Sequence, residues 1–144
     1  MKPVLFDYAV AQSLNDAQSA LQNGQSKFVS GNQSLGPMMN LRLARPAALV
    51  DLSQLPELCK VEEHDGYIRF GAAITHAEIE DGVVPDPTGH WMRDAAANIA
   101  YRAVRNRGTI GGSLAHADPA ADWVIVLTAL CATVIVREPG ERWF

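Results

Sequence analysis

The feature that most constrains this chain is the run Arg105-Asn106-Arg107-Gly108-Thr109-Ile110-Gly111-Gly112-Ser113-Leu114-Ala115-His116-Ala117-Asp118-Pro119-Ala120-Ala121-Asp122. Three glycines fall within five residues, and small or polar residues continue on both sides. A simple tight turn does not need so long a run. Consecutive Gly111 and Gly112 let main chain approach a ligand where a side chain would block it, and Thr109 and Ser113 add hydroxyls. No lysine follows, so this is not a Walker loop, and the spacing is not the Gly-x-Gly-x-x-Gly dinucleotide fingerprint. The run asks for a fold in which backbone meets a ligand.

A second segment has related character: Phe28-Val29-Ser30-Gly31-Asn32-Gln33-Ser34-Leu35-Gly36-Pro37. A short buried strand at Phe28-Val29 runs into Gly31, and Pro37 suits the first turn of a helix continuing through Met38, Met39 and Leu41. Amides after Gly31 are free to point at an anion, and the helix start adds a positive end. Asn32, Gln33 and Ser34 offer neutral donors. The geometry suits a pyrophosphate. A plain strand–turn–helix corner uses the same residue types, so this segment alone leaves a simple turn open.

Between and around these runs the pattern predicts a β/α start and a mixed remainder. Ser13-Leu14-Asn15-Asp16 reads as a capping box before helical spacing at Leu14, Ala17, Ala20 and Leu21, with Gly24 as the stop. Leu49 to Leu52 reads as a strand. Val61–Glu63 and Tyr67–Phe70 flank His64-Asp65-Gly66, a hairpin signal. Thr75 opens a short helix by a capping box with Glu78. His90 to Ile99 reads as a helix after the Pro85–Gly89 loop. Asp122 is expected to cap a helix over Trp123 to Leu130, followed by a β-branched strand, Thr133 to Arg137. Glu138–Glu141 reads as a turn into a returning strand, Arg142 to Phe144. A hairpin that stops in its second arm points to a fragment.

Composition narrows the function. The chain has 144 residues, 12 Lys+Arg against 16 Asp+Glu and 48% hydrophobic residues. That length suits one domain with a sizeable core. A net charge of −4 argues against broad nucleic-acid binding. The longest apolar run, Trp123 to Val136, is shorter than the roughly 20 residues of a membrane span, and reads as a buried helix passing into a buried strand. No targeting segment is visible, which points to the cytoplasm. Cys59 and Cys131 are too few for a disulfide scaffold or a four-ligand zinc site and are expected as buried reduced thiols. The histidines show no metal spacing. His76 reads as a loop or helix-start residue and His116 as a loop brace. Asp118 and Asp122 are not read as an acid–base pair. Arg102, Arg105 and Arg107 read as loop-bracing or solvated charge.

The two glycine-bearing segments together, Ser30–Met39 and Arg105–Asp122, resemble the FAD-binding medium subunit of molybdenum hydroxylases. That family includes aerobic carbon monoxide dehydrogenase, xanthine dehydrogenase and relatives acting on N-heterocycles. Leu49–Leu52, Ile68–Ala72 and Thr75-His76 match it in order and spacing, so the resemblance covers essentially the whole chain. It implies an α+β FAD-binding fold of the vanillyl-alcohol-oxidase (PCMH) type. A small β/α subdomain, residues 1–56, is followed by an incomplete second α+β subdomain, residues 57–144. Family members continue well beyond the turn at Glu138–Arg142, so a truncated subunit is implied.

The resemblance also implies roles. Phe28, Val29, Ser30, Gly31, Asn32, Gln33, Ser34 and Leu35 wrap the FAD pyrophosphate. Thr109, Ile110, Gly111, Gly112 and Ser113 form a second backbone cradle. Asp122 meets the polyol or ribose region, and Ile99 makes an apolar contact. Asn32 stands where relatives often carry Gly, and Asn tolerates left-handed backbone. No catalytic side chain and no metal ligand is expected. The implied role is electron transfer from iron–sulfur clusters through FAD to NAD or another acceptor. The implied partners are a molybdopterin-binding large subunit and a 2Fe-2S small subunit, in a dimer of heterotrimers. A structural or interaction fragment without a complete flavin site, and a stand-alone flavin oxidase of the same fold, are the competing readings.

Overall fold

The computed structural model describes residues 1–21, 24–137 and the backbone of 142–143. The predicted turn at Glu138–Glu141, and Phe144, lie outside the described residues.

The first part alternates strand and helix: β1 (Asp7–Val10), α1 (Leu14–Leu21), β2 (Ser26–Val29), α2 (Leu35–Asn40) and β3 (Ala48–Asp51). The strands form one parallel sheet in the order β1-β3-β2, with Tyr8 opposite Leu49 and Phe28 opposite Val50. The last strand therefore sits in the middle. Its neighbouring residues Leu49 and Val50 point to opposite faces, and both are buried. Val50 packs with Ala11, Ala17 and Leu55 on the α1 side. Leu49 packs with Val29 and Met39 on the α2 side. This sandwiching aligns the carboxyl ends of all three strands along one edge, where loops of α/β sheets meet ligands.

The second part opens with an antiparallel hairpin, β4 (Val61–His64) and β5 (Tyr67–Phe70), turned at Asp65-Gly66 with Gly66 at φ 88. Five helices follow: α3 (His76–Glu80), α4 (Trp91–Asn98), α5 (Arg102–Arg105), α6 (Ile110–His116) and α7 (Asp122–Ala129). A short pair, β6 (Ile135–Val136) and β7 (Arg142–Trp143), comes last. Ile74, Ile79, Met92, Ala96, Ile110, Trp123 and Val126 make its core. The capping box predicted at Thr75 is complete: the Glu78 amide donates to Thr75 Oγ1 and the Thr75 amide donates to Glu78 Oε2 at 2.7 Å.

Several expectations need correction. β1, α5 and α6 were not predicted, and α6 starts inside the glycine run, where glycine's poor helix propensity argues against a helix. Asp122 does not cap α7; Ala121 holds that position and Asp122 is the first helical residue. At α1 the Asp16 amide does bond Ser13 Oγ, but the Asp16 carboxylate reaches back to the Gln12 amide rather than to Ser13. Cys59 and Cys131 are exposed, not buried. Phe28 is partly exposed, because it lies on an edge strand. The Trp123–Val136 run is only half covered: Trp123 and Val126 face the core while Ile125 and Val136 face outward.

Candidate functional site

The first bend leaves the carboxyl end of β2, where the Leu52 amide donates to the Val29 carbonyl at 2.8 Å. Asn32 takes a left-handed backbone, φ 59. The consequence is visible in the hydrogen bonding. Among the described residues, the main-chain N–H groups of residues 31–35 donate to no protein acceptor. Gln33 Nε2 instead donates back to the Gly31 carbonyl at 2.8 Å, which stiffens the bend. Ser30 Oγ is buried and has no hydrogen-bond partner among the described residues. A run of free amides beside an orphaned hydroxyl is a surface that asks for an acceptor.

The second bend was expected to offer free amides too, and at residues 110–113 it does not. The Ile110 amide donates to Ile74 O at 2.9 Å, and the Gly111 amide to Ala72 O at 2.9 Å. The Gly112 amide donates to Thr109 Oγ1 at 3.1 Å, the N-cap bond of α6, and the Ser113 amide to Thr109 O at 3.0 Å. Its glycines have packing reasons. A Cβ on Gly111 would overlap Ala72, and one on Gly112 would lie 2.7 Å from Thr109 Oγ1. What this bend can present to a ligand is its close-approaching glycine faces and hydroxyls.

The two bends touch. A Cβ on Gly31 would overlap the Arg107 carbonyl and come 2.7 Å from Gly108 Cα. Beneath Gly108 lies His76, buried, whose amide donates to the Gly108 carbonyl at 2.9 Å. Its ring Nδ1 accepts a hydrogen bond from Trp123 Nε1 at 3.0 Å. Burial pushes the His76 imidazole down to about 4; the Asp122 carboxylate opposes that and Arg105 adds to it. The ring is therefore neutral at pH 7. Sequence reasoning placed His76 correctly at a helix start but missed its burial, since no local signal pairs it with Trp123, 47 residues away.

Charges brace the same region. Arg105 donates to Glu80 Oε2 at 2.7 Å and to the Ile99 and Ala100 carbonyls at 3.1 and 3.2 Å. Arg102 pairs with Glu80 at 2.8 Å and with Asp81 at 2.5 Å. This agrees with the loop-bracing role expected of both arginines. Arg107 is not in these pairs. Its charge acts on Asp51, at the end of β3, which also accepts a short hydrogen bond from the Tyr8 hydroxyl.

Of the predicted site residues, the structure sets Gly31 against Gly108 and the exposed Asp122 within reach of His76 by charge; the rest of Phe28–Leu35 and Thr109–Ser113 adjoin that contact along the chain. Ile99 packs against the Ile74–Val126 core. An open cavity of about 650 Å³ lies elsewhere, at the amino ends of β2 and β3, and none of the predicted residues lines it. Among the described residues no group of three His, Cys, Asp or Glu could hold a metal ion, and no helix is long and apolar enough to cross a membrane.

Residues 4–144 match the family described as FAD binding domain in molybdopterin dehydrogenase. The chain belongs to this family. It is 43% identical over 145 residues to the 6-hydroxypseudooxynicotine dehydrogenase complex subunit alpha of Paenarthrobacter nicotinovorans, covering 99% of this chain and 49% of that protein. It is 42% identical to the nicotine 6-hydroxylase medium subunit of the same organism, covering 99% and 50%. Among solved structures, carbon monoxide dehydrogenase from Hydrogenophaga pseudoflava superposes with a TM-score of 0.91 at 33% identity, over 99% of this chain and 51% of that one. Quinoline 2-oxidoreductase from Pseudomonas putida 86 superposes with a TM-score of 0.88 at 34% identity, over 100% and 51%. The family's fold is thus the one expected from the two glycine-bearing segments. The chain spans about half the length of the curated relatives it matches.

Proposed function

We propose that this chain is part of the FAD-carrying subunit of a molybdopterin-containing hydroxylase or dehydrogenase. Its task there is to hold the flavin on an electron path from iron–sulfur clusters to NAD or another acceptor. The observation that supports the reading is the free-amide bend at residues 31–35 with the unpartnered Ser30 hydroxyl. FAD has a doubly anionic pyrophosphate, and neutral N–H donors in a fixed concavity match it without a row of lysines. The chain has only Lys2, Lys27 and Lys60.

In this reading Gly31 to Leu35 hold the pyrophosphate, and Ser30 adds its hydroxyl. Thr109, Ser113 and the faces of Gly111 and Gly112 border the cofactor. Asp122 and Ile99 are assigned its polyol or ribose and an apolar contact. When bound, FAD supplies the exchange between one- and two-electron transfers. The chain's residues bind it, orient it and surround it with dipoles; none of them is asked to act as acid, base or nucleophile. The division into residues 1–56 and 57–144 is part of the same proposal: separate cores on either side of Pro56 support it. A large molybdopterin-binding subunit and a small 2Fe-2S subunit are the proposed partners, on the strength of relatives named as medium or alpha subunits of such complexes.

Purification of the full-length protein tests this. We expect flavin absorbance at one FAD per chain, or a rise in melting temperature on adding FAD to the stripped protein. A folded, colourless protein whose melting temperature ignores FAD would contradict it.

A further inference from the structure

His76 is a buried side chain that links the hydrophobic core to the Gly108 backbone on which the first bend rests. Its ring nitrogen Nδ1 is fixed by the Trp123 indole N–H at 3.0 Å. With Nδ1 accepting, the neutral ring carries its proton on Nε2. Its own amide holds the Gly108 carbonyl at 2.9 Å. The other end of the ring fills the space where Gly108 would carry a side chain: a Cβ there would lie 2.7 Å from Nε2. Gly108 in turn is one of the two residues on which Gly31 rests without room for a Cβ. Contact therefore runs unbroken from Trp123 through His76 and Gly108 to Gly31, the first residue of the free-amide bend.

Each link is close-packed, so a displacement at one end has nowhere to be absorbed. Trp123 is fully buried and anchors the chain of contacts in the core. The bend itself has few bonds of its own, chiefly the one from Gln33 to Gly31. Its amides point where they do because of what Gly31 sits on.

We propose that His76 is a positioning residue for the amide cradle, and that it sets affinity for a nucleotide diphosphate without touching it. This rests on the reading that residues 31–35 bind the FAD pyrophosphate. The groups facing His76 are Trp123 from α7, Asp122 beside it, Arg105 from α5 and the Gly108 backbone.

The test is a double-substitution cycle in the full-length protein: His76→Ala, Gly108→Ala and both together, with FAD titrated well below every variant's melting temperature. Gly108→Ala alone puts a Cβ against the imidazole and should weaken FAD on the order of tenfold, in the range of coupled neighbours. In the His76→Ala background the closest remaining neighbour of that Cβ is the Val104 carbonyl, at a looser 3.2 Å, so the second substitution should change affinity less than about threefold. A purely structural histidine would give equal Gly108→Ala effects in both backgrounds, and that result overturns the proposal. His76→Phe keeps the ring's bulk but removes the acceptor for Trp123. We expect displaced Gly31 and Asn32 amide NMR resonances in the FAD-free protein; unchanged resonances there count against the proposal even if a variant loses stability. Wild-type protein that binds no FAD would sink the pyrophosphate reading instead, while the amide resonances would still judge His76.

Discussion

The two glycine-bearing bends look alike in sequence and differ in what their backbones are doing. At residues 31–35 the N–H groups are free, and one glycine is required because another loop presses on it. At residues 110–113 the N–H groups are consumed by Ala72, Ile74 and Thr109, and the glycines are required by Ala72 and by the cap of α6. One bend is held in place and left unsatisfied; the other is satisfied and does the holding. A glycine run thus marks close approach, but only hydrogen-bond accounting says whether a ligand or the protein itself makes that approach.

That contrast can be broken in descending steps. The largest effect is expected from Gly111→Val. The new side chain overlaps Ala72 and the α6 start must move, so the fold should lose about 3 kcal/mol or more, read as a large drop in melting temperature. Loss of flavin in that variant is then a consequence of misfolding. If Gly111→Val melts normally and only flavin is lost, the second bend is a ligand surface after all and the contrast fails.

Acid comes next. His76 has an ordinary value near 6.5 when unfolded and about 4 when folded, because burial disfavours its charge. The unfolded chain takes up this proton first, so stability is whole above pH 6.5 and falls as the pH drops towards 4, by on the order of 3 kcal/mol. Urea melts across that window, with His76→Phe as reference, should show the loss flattened in the variant. An equal loss in both would mean that protonation of His76 does not set the acid limit of the fold.

Thr109→Ala removes the α6 cap and frees the Gly112 amide. It should cost about 1 kcal/mol, and urea denaturation would measure it. Gln33→Ala should be the mildest for stability, below about 0.5 kcal/mol, since a partly buried local bond on a surface bend is lost. It should still weaken FAD, because the free amides lose their brace. Gln33→Ala with unchanged FAD affinity would mean that the first bend does not need to be stiff.

Much of this was legible in the residues. The β/α start, the hairpin at Asp65-Gly66 and the Thr75 cap follow local rules, and each lies where the pattern put it. The family was legible because two spaced glycine segments are a long-range signature. What stayed hidden depends on partners distant in the chain. α6 begins among glycines because Ala72 and Ile74 hold its first amides, which no local propensity reveals. β1 forms because β3 pairs with it 41 residues later, Asp7 opposite Ala48. Cys59 and Cys131 look apolar by type but sit on surface turns, and Cys131 has a left-handed backbone, φ 51.

Amide hydrogen exchange in the full-length protein, with and without FAD, weighs the central claim most directly. FAD should slow exchange sharply at residues 31–35, while residues 110–113 are protected in either state. Protection by FAD at 110–113 with none at 31–35 would reverse the assignment of the two bends.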